Sequence, residues 1–359
     1  MLDLIDVPDQ RLLLEQDVLT LENVKAQYFL LNQIDQKKRS RDLAQILNIT
    51  EAQWVASSLG SIKSIYLQGD GREVFKAIGD MGEVMALTRN QSCVHERHGH
   101  YLDIHADGPV GLVLGPDIDL RVFFNHWAHA WAVQDRDRLS LQFFDQAGIA
   151  IHKVFCTKET DISAYLALVQ RFAAAPMWPA AQAKPKAIRQ MQTHDKTALR
   201  QAWLALKDTH DFFTMLKKFD VERLGAIHDV GPDLAQQVGV ENIGLMLKVA
   251  VQTEIPIMCF VSNAGMIQIH SGLIKKIVQT GSWLNVLDPR FNLHINLEHI
   301  QSVWVVNKPT IDGWVTSVEV FDHDGEMIVQ FFGVRKPGVT EQAKWRELLV
   351  SLCPKRLAA

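Results

Sequence analysis

Residues 90–131 read NQSCVHERHGHYLDIHADGPVGLVLGPDIDLRVFFNHWAHAW, and residues 263–304 read NAGMIQIHSGLIKKIVQTGSWLNVLDPRFNLHINLEHIQSVW. The two stretches align without a gap at an offset of 173 residues. About ten of the 42 positions are identical, among them Gly108/Gly281, Pro116/Pro289, Leu120/Leu293, His126/His299 and Trp131/Trp304. Others change like for like, as in Val94/Ile267, Val122/Ile295 and Phe124/Leu297. After a four-residue insertion around Lys308-Pro309-Thr310-Ile311-Asp312-Gly313 the match resumes, with Phe144-Asp145 beside Phe321-Asp322. A period this long marks two domain-sized copies, because solenoid units run about 20–50 residues. Ligands favour the surface between two domains, and a residue present in only one copy is a candidate for function.

The 359 residues agree with two domains. A first repeat is expected over 1–173, a linker rich in Ala, Pro and Lys over 174–195, and a second repeat over 196–359. An apolar content of 47% suits a globular chain with real cores. The formal charge of −4 gives no general attraction to nucleic acid or acidic membranes. The basic run Lys37-Lys38-Arg39-Ser40-Arg41 enters a helical pattern and reads as a solvated helix face. The acidic start lacks the basic region and apolar core of a signal peptide. No apolar stretch approaches the roughly 18 residues of a membrane span. Four scattered cysteines (Cys93, Cys156, Cys259, Cys353) form no C-x-x-C pair, and reduced thiols in a cytoplasmic protein fit them best.

Apolar spacing predicts helices between about residues 19 and 55, with Thr50-Glu51-Ala52 restarting one after Asn48-Ile49. Short apolar runs then predict strands over 64–67, 84–89, 111–114, 120–124, 130–135, 140–145 and 150–155, and a helix over 161–173. The second copy opens with predicted helices over 196–206, 210–219, 221–230 and 232–238. Strands follow over 256–262, 266–271, 283–287, 292–296, 303–307, 315–321 and 327–333, and a helix over 345–352 closes the chain. Runs of helix and runs of antiparallel strand indicate an α+β fold.

Among residues with usable chemistry, His210 comes first. In Asp208-Thr209-His210-Asp211-Phe212-Phe213 the imidazole is expected in the first turn of a helix capped by Asp208 or Thr209. A helix N-terminus disfavours a cation, which leaves a ring lone pair free for a metal. The matching position of the first copy is Lys38, so this histidine belongs to one half only. A capping or solvated histidine is the competing reading. The run Val94-His95-Glu96-Arg97-His98-Gly99-His100, with His105 beyond, resembles a metal site by residue type. On a strand, however, His95 and His98 face opposite ways, and no known zinc spacing is present. Exposed histidines explain the run more simply, with a secondary ligand role for His95 as the alternative. Arg121 beside Phe123-Phe124, Lys308 in the insertion, and Arg335 after Phe331-Phe332-Gly333 put cations next to aromatic walls. That combination suits a flat ligand bearing carboxylates; snorkelling surface residues are the plain reading. No dinucleotide, P-loop, zincin, hydrolase or covalent-haem motif occurs.

From about residue 25 to its end, the chain resembles the HemS/HmuS/ChuS/PhuS family of bacterial haem-utilisation proteins. The residues that carry the resemblance include Val94-His95-Glu96, Asp119-Leu120-Arg121-Val122-Phe123, Gln142-Phe143-Phe144-Asp145, Asp208 through Lys217, Lys308-Pro309-Thr310 and Trp345-Arg346. The resemblance implies two tandem copies, each a large antiparallel sheet with helices, holding one haem b in the cleft between them. It implies His210 as proximal iron ligand and Arg121 as a distal group acting through water, with Phe123 beside it. It places Lys308 and Arg335 near the propionates, Phe260 and Phe332 against the haem, and His95 as a further histidine of interest. The family commonly has Tyr where Phe332 stands, so a pocket hydroxyl is missing here. The implied function is a cytoplasmic protein of haem uptake and iron acquisition that traffics imported haem or degrades it with O₂ and a reductant. Its implied partners are an inner-membrane haem importer and a downstream haem oxygenase, with no nucleic acid and no embedding in the membrane. Carrier and oxygenase both stay open. So do a haem-responsive regulatory protein without catalysis, and His95 or His129 as an alternative ligand.

Overall fold

The computed structural model describes residues 1–7, 15–32, 40–182, 193, 195–336 and 338–359. The first half contains α1 (Glu15–Asn32), α2 (Ser40–Ile46), α3 (Glu51–Ala56), β1 (Ile62–Leu67), α4 (Gly71–Ala77), β2 (Gly82–Arg89), β3 (Cys93–Gly99) and β4 (Ile104–His105). It continues with β5 (Gly111–Leu114), β6 (Asp119–Val122), β7 (His129–Asp135), β8 (Arg138–Phe144), β9 (Ala150–Thr160) and α5 (Ile162–Phe172). The second half contains α6 (Lys196–Leu204), α7 (Asp211–Lys218), α8 (Arg223–Asp229), β10 (Ala235–Val238), α9 (Glu241–Gln252), β11 (Ile257–Asn263), β12 (Met266–Gly272) and β13 (Ile277–Thr280). Then come β14 (Trp283–Leu287), β15 (Phe291–Asn296), β16 (Ile300–Thr310), β17 (Gly313–Asp322), β18 (Met327–Gly333) and α10 (Ala343–Leu352). Lys37, Lys38 and Arg39 of the basic run, and most of the linker beyond residue 182, lie outside the described residues.

The duplication read from sequence is a duplication of topology. One copy has the antiparallel strand order β1-β7-β8-β9-β2 and the other β10-β16-β17-β18-β11. Each copy also has a short meander, β4-β5-β6 and β13-β14-β15. The fold is therefore α+β with two tandem repeats. The chain divides into two compact units. The first comprises Met1–Thr88, Glu96–Pro185 and Asn263–Gln268; the second comprises Arg89–His95, Lys186–Ser262 and Ile269–Ala359. The two short stretches that leave their own half are equivalent positions of the repeat, so the duplication extends to how the chain is shared out.

Several elements follow from local chemistry. Thr50 forms a reciprocal capping box with Gln53, its hydroxyl accepting from the Gln53 N–H at 3.1 Å and its N–H donating to Gln53 Oε1 at 3.0 Å. Asp161 and Asp195 cap α5 and α6 by accepting first-turn backbone N–H groups on their carboxylates. Other expectations fail. Residues 232–238 were predicted helical, yet Ala235–Val238 is strand β10, paired Ala235↔Val306 through Val238↔Val303. Gln236 hides the alternation, because its side chain is buried by bonding to both the N–H and the carbonyl of Lys355. The strand expected over 120–124 stops at Val122, and Phe124–His126 turns as a 3-10 helix. Helices α4 and α9 escaped the sequence reading altogether.

In the second unit, β16 and β17 are buried on both faces. Val303, Val305, Val318 and Val320 face one core with Trp345, Leu348 and Leu349, while Trp304, Val306 and Phe321 face another with α6, α7 and α8. The two sets alternate along each strand, as the pleat requires. Gly333 ends β18 under this packing. A Cβ there would stand 2.7 Å from the Trp345 ring and 2.9 Å from its Cβ, and Trp345 is fully buried. Gly333→Ala is therefore expected to destabilise the protein by about 1–3 kcal/mol through overpacking, read as a lower Tm in thermal denaturation.

Candidate functional site

His210 is presented by a loop tied down at both ends. Before it, Trp203 of α6 is fully buried and donates its indole N–H to the Asn307 carbonyl at 3.0 Å. The Ile311 N–H, in the turn between β16 and β17, donates to the Lys207 carbonyl at 3.0 Å. After it, Phe212 is buried edge-on against Trp203, with ring centroids 4.9 Å apart. His210 itself occupies the N-cap of α7, rather than Asp208 or Thr209. Asp208 bonds it twice: Oδ1 accepts the His210 N–H at 2.8 Å and meets ring Nδ1 at 2.5 Å. The imidazole is otherwise open, with 91% of its side chain exposed.

The Asp208 carboxyl is held below its ordinary range, chiefly by the bond from the His210 N–H and further by the ring bond and the charge of Arg335. An ionised carboxylate can only accept, so the shared hydrogen sits on Nδ1 and the Nε2 lone pair is left for an incoming ligand. Arg335 donates from Nη2 to Asp312 at 3.2 Å and is largely buried. Phe260 and Phe332 are half-buried and meet edge to face at 5.1 Å.

Lys308 does not snorkel. Its side chain is only 5% exposed, and Nζ donates to Glu319 Oε1 at 2.6 Å. Arg223 donates to the other oxygen of Glu319 at 3.0 Å, and the Ser317 hydroxyl reaches Oε1 at 3.2 Å. Both cations also lie over aromatic rings: Lys308 Nζ is 4.5 Å from the Phe212 centroid, and the Arg223 guanidinium carbon is 4.8 Å from Phe212 and 5.0 Å from Phe213. Burial alone would raise Glu319, but Lys308 and then Arg223 outweigh it and hold the carboxyl at about 2. Burial pushes the Lys308 amine below its usual range, against the pull of Glu319.

Arg121 and Phe123 belong to the first unit. Arg121 donates to the Asp119 carboxylate and to the Leu120 carbonyl at 3.1 Å, and is about a third exposed. Half-buried Phe123 is fixed by its N–H, which donates to the Gly265 carbonyl at 3.0 Å. The expectation of an exposed His95 is wrong. It is fully buried, edge-on to Phe291 at 5.0 Å, and His270 stacks on the same ring at 3.7 Å. Among the described residues, no group of three or more His, Cys, Asp or Glu side chains could hold a metal ion. Half-buried His129 borders a cavity of about 260 Å³ with Trp127, Phe143 and Arg72, and burial lowers its basicity. All four cysteines are free. No helix among the described residues is long and apolar enough to cross a membrane.

Glu319, Arg223 and Phe213 were missed in the sequence. One signal was available, because the copies align Glu319 with Gln142: a carboxylate interrupts an apolar strand in one half only.

A family model described as the haemin-degrading HemS.ChuX domain matches residues 48–172 and again 220–352. The chain belongs to this family. The haemin transport protein HmuS of Yersinia pestis is 40% identical over 329 residues, covering 90% of this chain and 95% of HmuS. The structure of holo-PhuS, a haem-binding protein from Pseudomonas aeruginosa, matches with a TM-score of 0.87 at 40% identity, over 94% of this chain and 99% of PhuS. ChuS, described as an E. coli haem oxygenase, matches with a TM-score of 0.82 at 37% identity, over 92% of this chain and all of ChuS. Within the HemS.ChuX matches lie Arg121, Lys308, Glu319 and Arg335, whereas His210 falls between the two matched stretches.

The paired charges make a pH prediction. Glu319 titrates lower in the folded chain, at about 2, than its ordinary 4.5. Its contribution is therefore present above pH 4.5 and lost as the pH falls from there to about 2, by about 3 kcal/mol at most. Urea unfolding across that interval should show this loss in the wild type and a smaller one in Glu319→Gln.

Proposed function

We propose that this protein binds haem b, with His210 Nε2 as the axial ligand to iron, in a cytoplasmic pathway of haem uptake and iron acquisition. The observation that carries this reading is the His210–Asp208 pair. It is an exposed imidazole whose inner nitrogen is already satisfied by a carboxylate, the arrangement that orients a metal-binding histidine. A histidine with no cluster of further ligands among the described residues suits a metal that arrives in its own macrocycle, where one proximal imidazole is enough. Arg335 is the basic group for a propionate, since its charge already acts on Asp208 in the same loop. Phe260 and Phe332 offer an aromatic surface without a hydroxyl. Arg121 and Phe123 take the distal role that the resemblance to HemS proteins implies. Lys308 keeps its amine on Glu319 and works from beneath α7.

Replacing His210 by Ala is expected to weaken ferric haem binding about 10- to 100-fold, as loss of a metal-orienting set does, and to change the Soret band. A variant with wild-type affinity and spectrum would reject the axial assignment.

The description of ChuS as a haem oxygenase supports a second reading, in which the bound haem is degraded rather than handed from an importer to a separate oxygenase. Haem iron supplies O₂ chemistry when reduced, and distal polarity decides between binding and activation. The chain's own contribution would be Arg121, donating a hydrogen bond on the distal side. Haem-loaded protein given O₂ and ascorbate with catalase present is then expected to lose its Soret band and release an open tetrapyrrole. Arg121→Ala should slow that loss. Product formation no faster than from free haem would leave the carrier reading.

A further inference from the structure

We propose that Glu319 is a positioning residue for His210, acting through Lys308 and Arg223 on the rings of Phe212 and Phe213. This rests on His210 as the axial ligand and adds how the fold aims it. His210 stands at the N-cap of α7, two and three positions before those rings. The first turn of a helix this short has little stability of its own, so tertiary contacts decide its placement. Beside the apolar packing of Phe212, Met215 and Leu216, those contacts include cations over ring faces, at 4.5 Å for Lys308 on Phe212 and at 4.8 and 5.0 Å for Arg223 on Phe212 and Phe213.

Two cations on one side of a core repel each other, and burying ions costs several kcal/mol each unless they are paired. Glu319 resolves this by giving one oxygen to each, at 2.6 Å and 3.0 Å, while its own side chain is completely buried. One carboxylate cannot neutralise both cations. The unit of positive charge left over is accommodated by the negative faces of the aromatic rings, which ties the first turn of α7 to the ion triad rather than to apolar packing alone. Cation–ring contacts are directional, whereas apolar contacts let a side chain slide. The register of α7, and with it the outward aim of the imidazole, is thus set from β17.

The first copy supports this division of labour. Gln142 occupies the position of Glu319 and pairs across the strands with Trp131 as Glu319 pairs with Trp304. It bonds Ser140 at 3.1 Å, the counterpart of Ser317. A neutral amide therefore suffices for the strand. A carboxylate at this strand position appears only in the copy that presents His210, whereas the first copy has Lys153 across from Gln142, paired with Glu51.

The test titrates ferric haem into the full-length wild type, Glu319→Gln and His210→Ala, each with and without millimolar imidazole. Amide hydrogen exchange of the apo proteins is followed at Phe212 and Phe213. Glu319→Gln is expected to bind haem roughly 10- to 100-fold more weakly, to shift its Soret band towards that of His210→Ala, and to recover both with imidazole. Exchange at Phe212 and Phe213 should quicken. A general loss of stability would not be repaired by imidazole, so weak binding without that recovery overturns the proposal. A wild-type spectrum and affinity in Glu319→Gln, with His210→Ala impaired, overturns the positioning role and leaves the axial assignment standing. Wild-type behaviour of His210→Ala overturns both. Should Glu319→Gln fail to fold, Arg223→Gln decides, since it keeps the Lys308–Glu319 pair. It is expected to give a smaller shift in the same direction, again recovered by imidazole, and an unchanged spectrum there counts against the proposal.

Discussion

One buried carboxylate shared by a buried lysine and a partly buried arginine organises the second unit. Glu319 sits on the face of β17 that α6, α7 and α8 cover, where its neighbours Trp304, Val306 and Phe321 are apolar. Placing ions on that face is costly, and the cost is offset only because Lys308, Arg223 and Glu319 meet there with aromatic rings around them. Removing Glu319 leaves the buried Lys308 without its counterpart. The strand pair is thereby linked electrostatically to the helix that His210 begins.

The duplication explains how such a site could arise without disturbing the fold. Both copies keep the same strand order and the same 3-10 turn, at Phe124–His126 and Leu297–His299. The differences gather where chemistry is proposed: Gln142 against Glu319, Arg121 against His294, and Asp135 against Lys308 at the matching ladder position. In the first copy Gln142 stands across from Lys153, which pairs with Glu51, and the opposite face of that sheet carries a neutral histidine. Buried His152 is held between the Thr88 hydroxyl at 2.9 Å and the Tyr101 hydroxyl at 2.5 Å, and burial pushes its basicity down to about 3.

The hydrogen bonds that hold the His210 ring and its N–H come from a partner close in sequence. Asp208 lies two residues away and supplies both bonds to it, which is why the motif was legible before the fold was known. Lys308 and Arg335 were legible only as cations near aromatics. Glu319 lies eleven residues from Lys308 and 96 from Arg223. A pairing of that reach leaves no local signature beyond a charge in an apolar strand. His95 shows the converse: a histidine-rich run looks exposed until Phe291, far along the chain, is seen to cover it.

Composition and period by themselves determined that this is a duplicated α+β chain, where its strands recur, and that His210 is particular to one half. Those features depend on local propensity and on spacing along a single strand or helix turn. The tertiary structure alone decided that Ala235–Val238 is a strand, that His95 is buried, and that Lys308 points at a carboxylate instead of solvent. Each of these outcomes is set by which distant segment supplies the missing hydrogen bond or opposite charge, and a buried polar group takes its conformation from that partner.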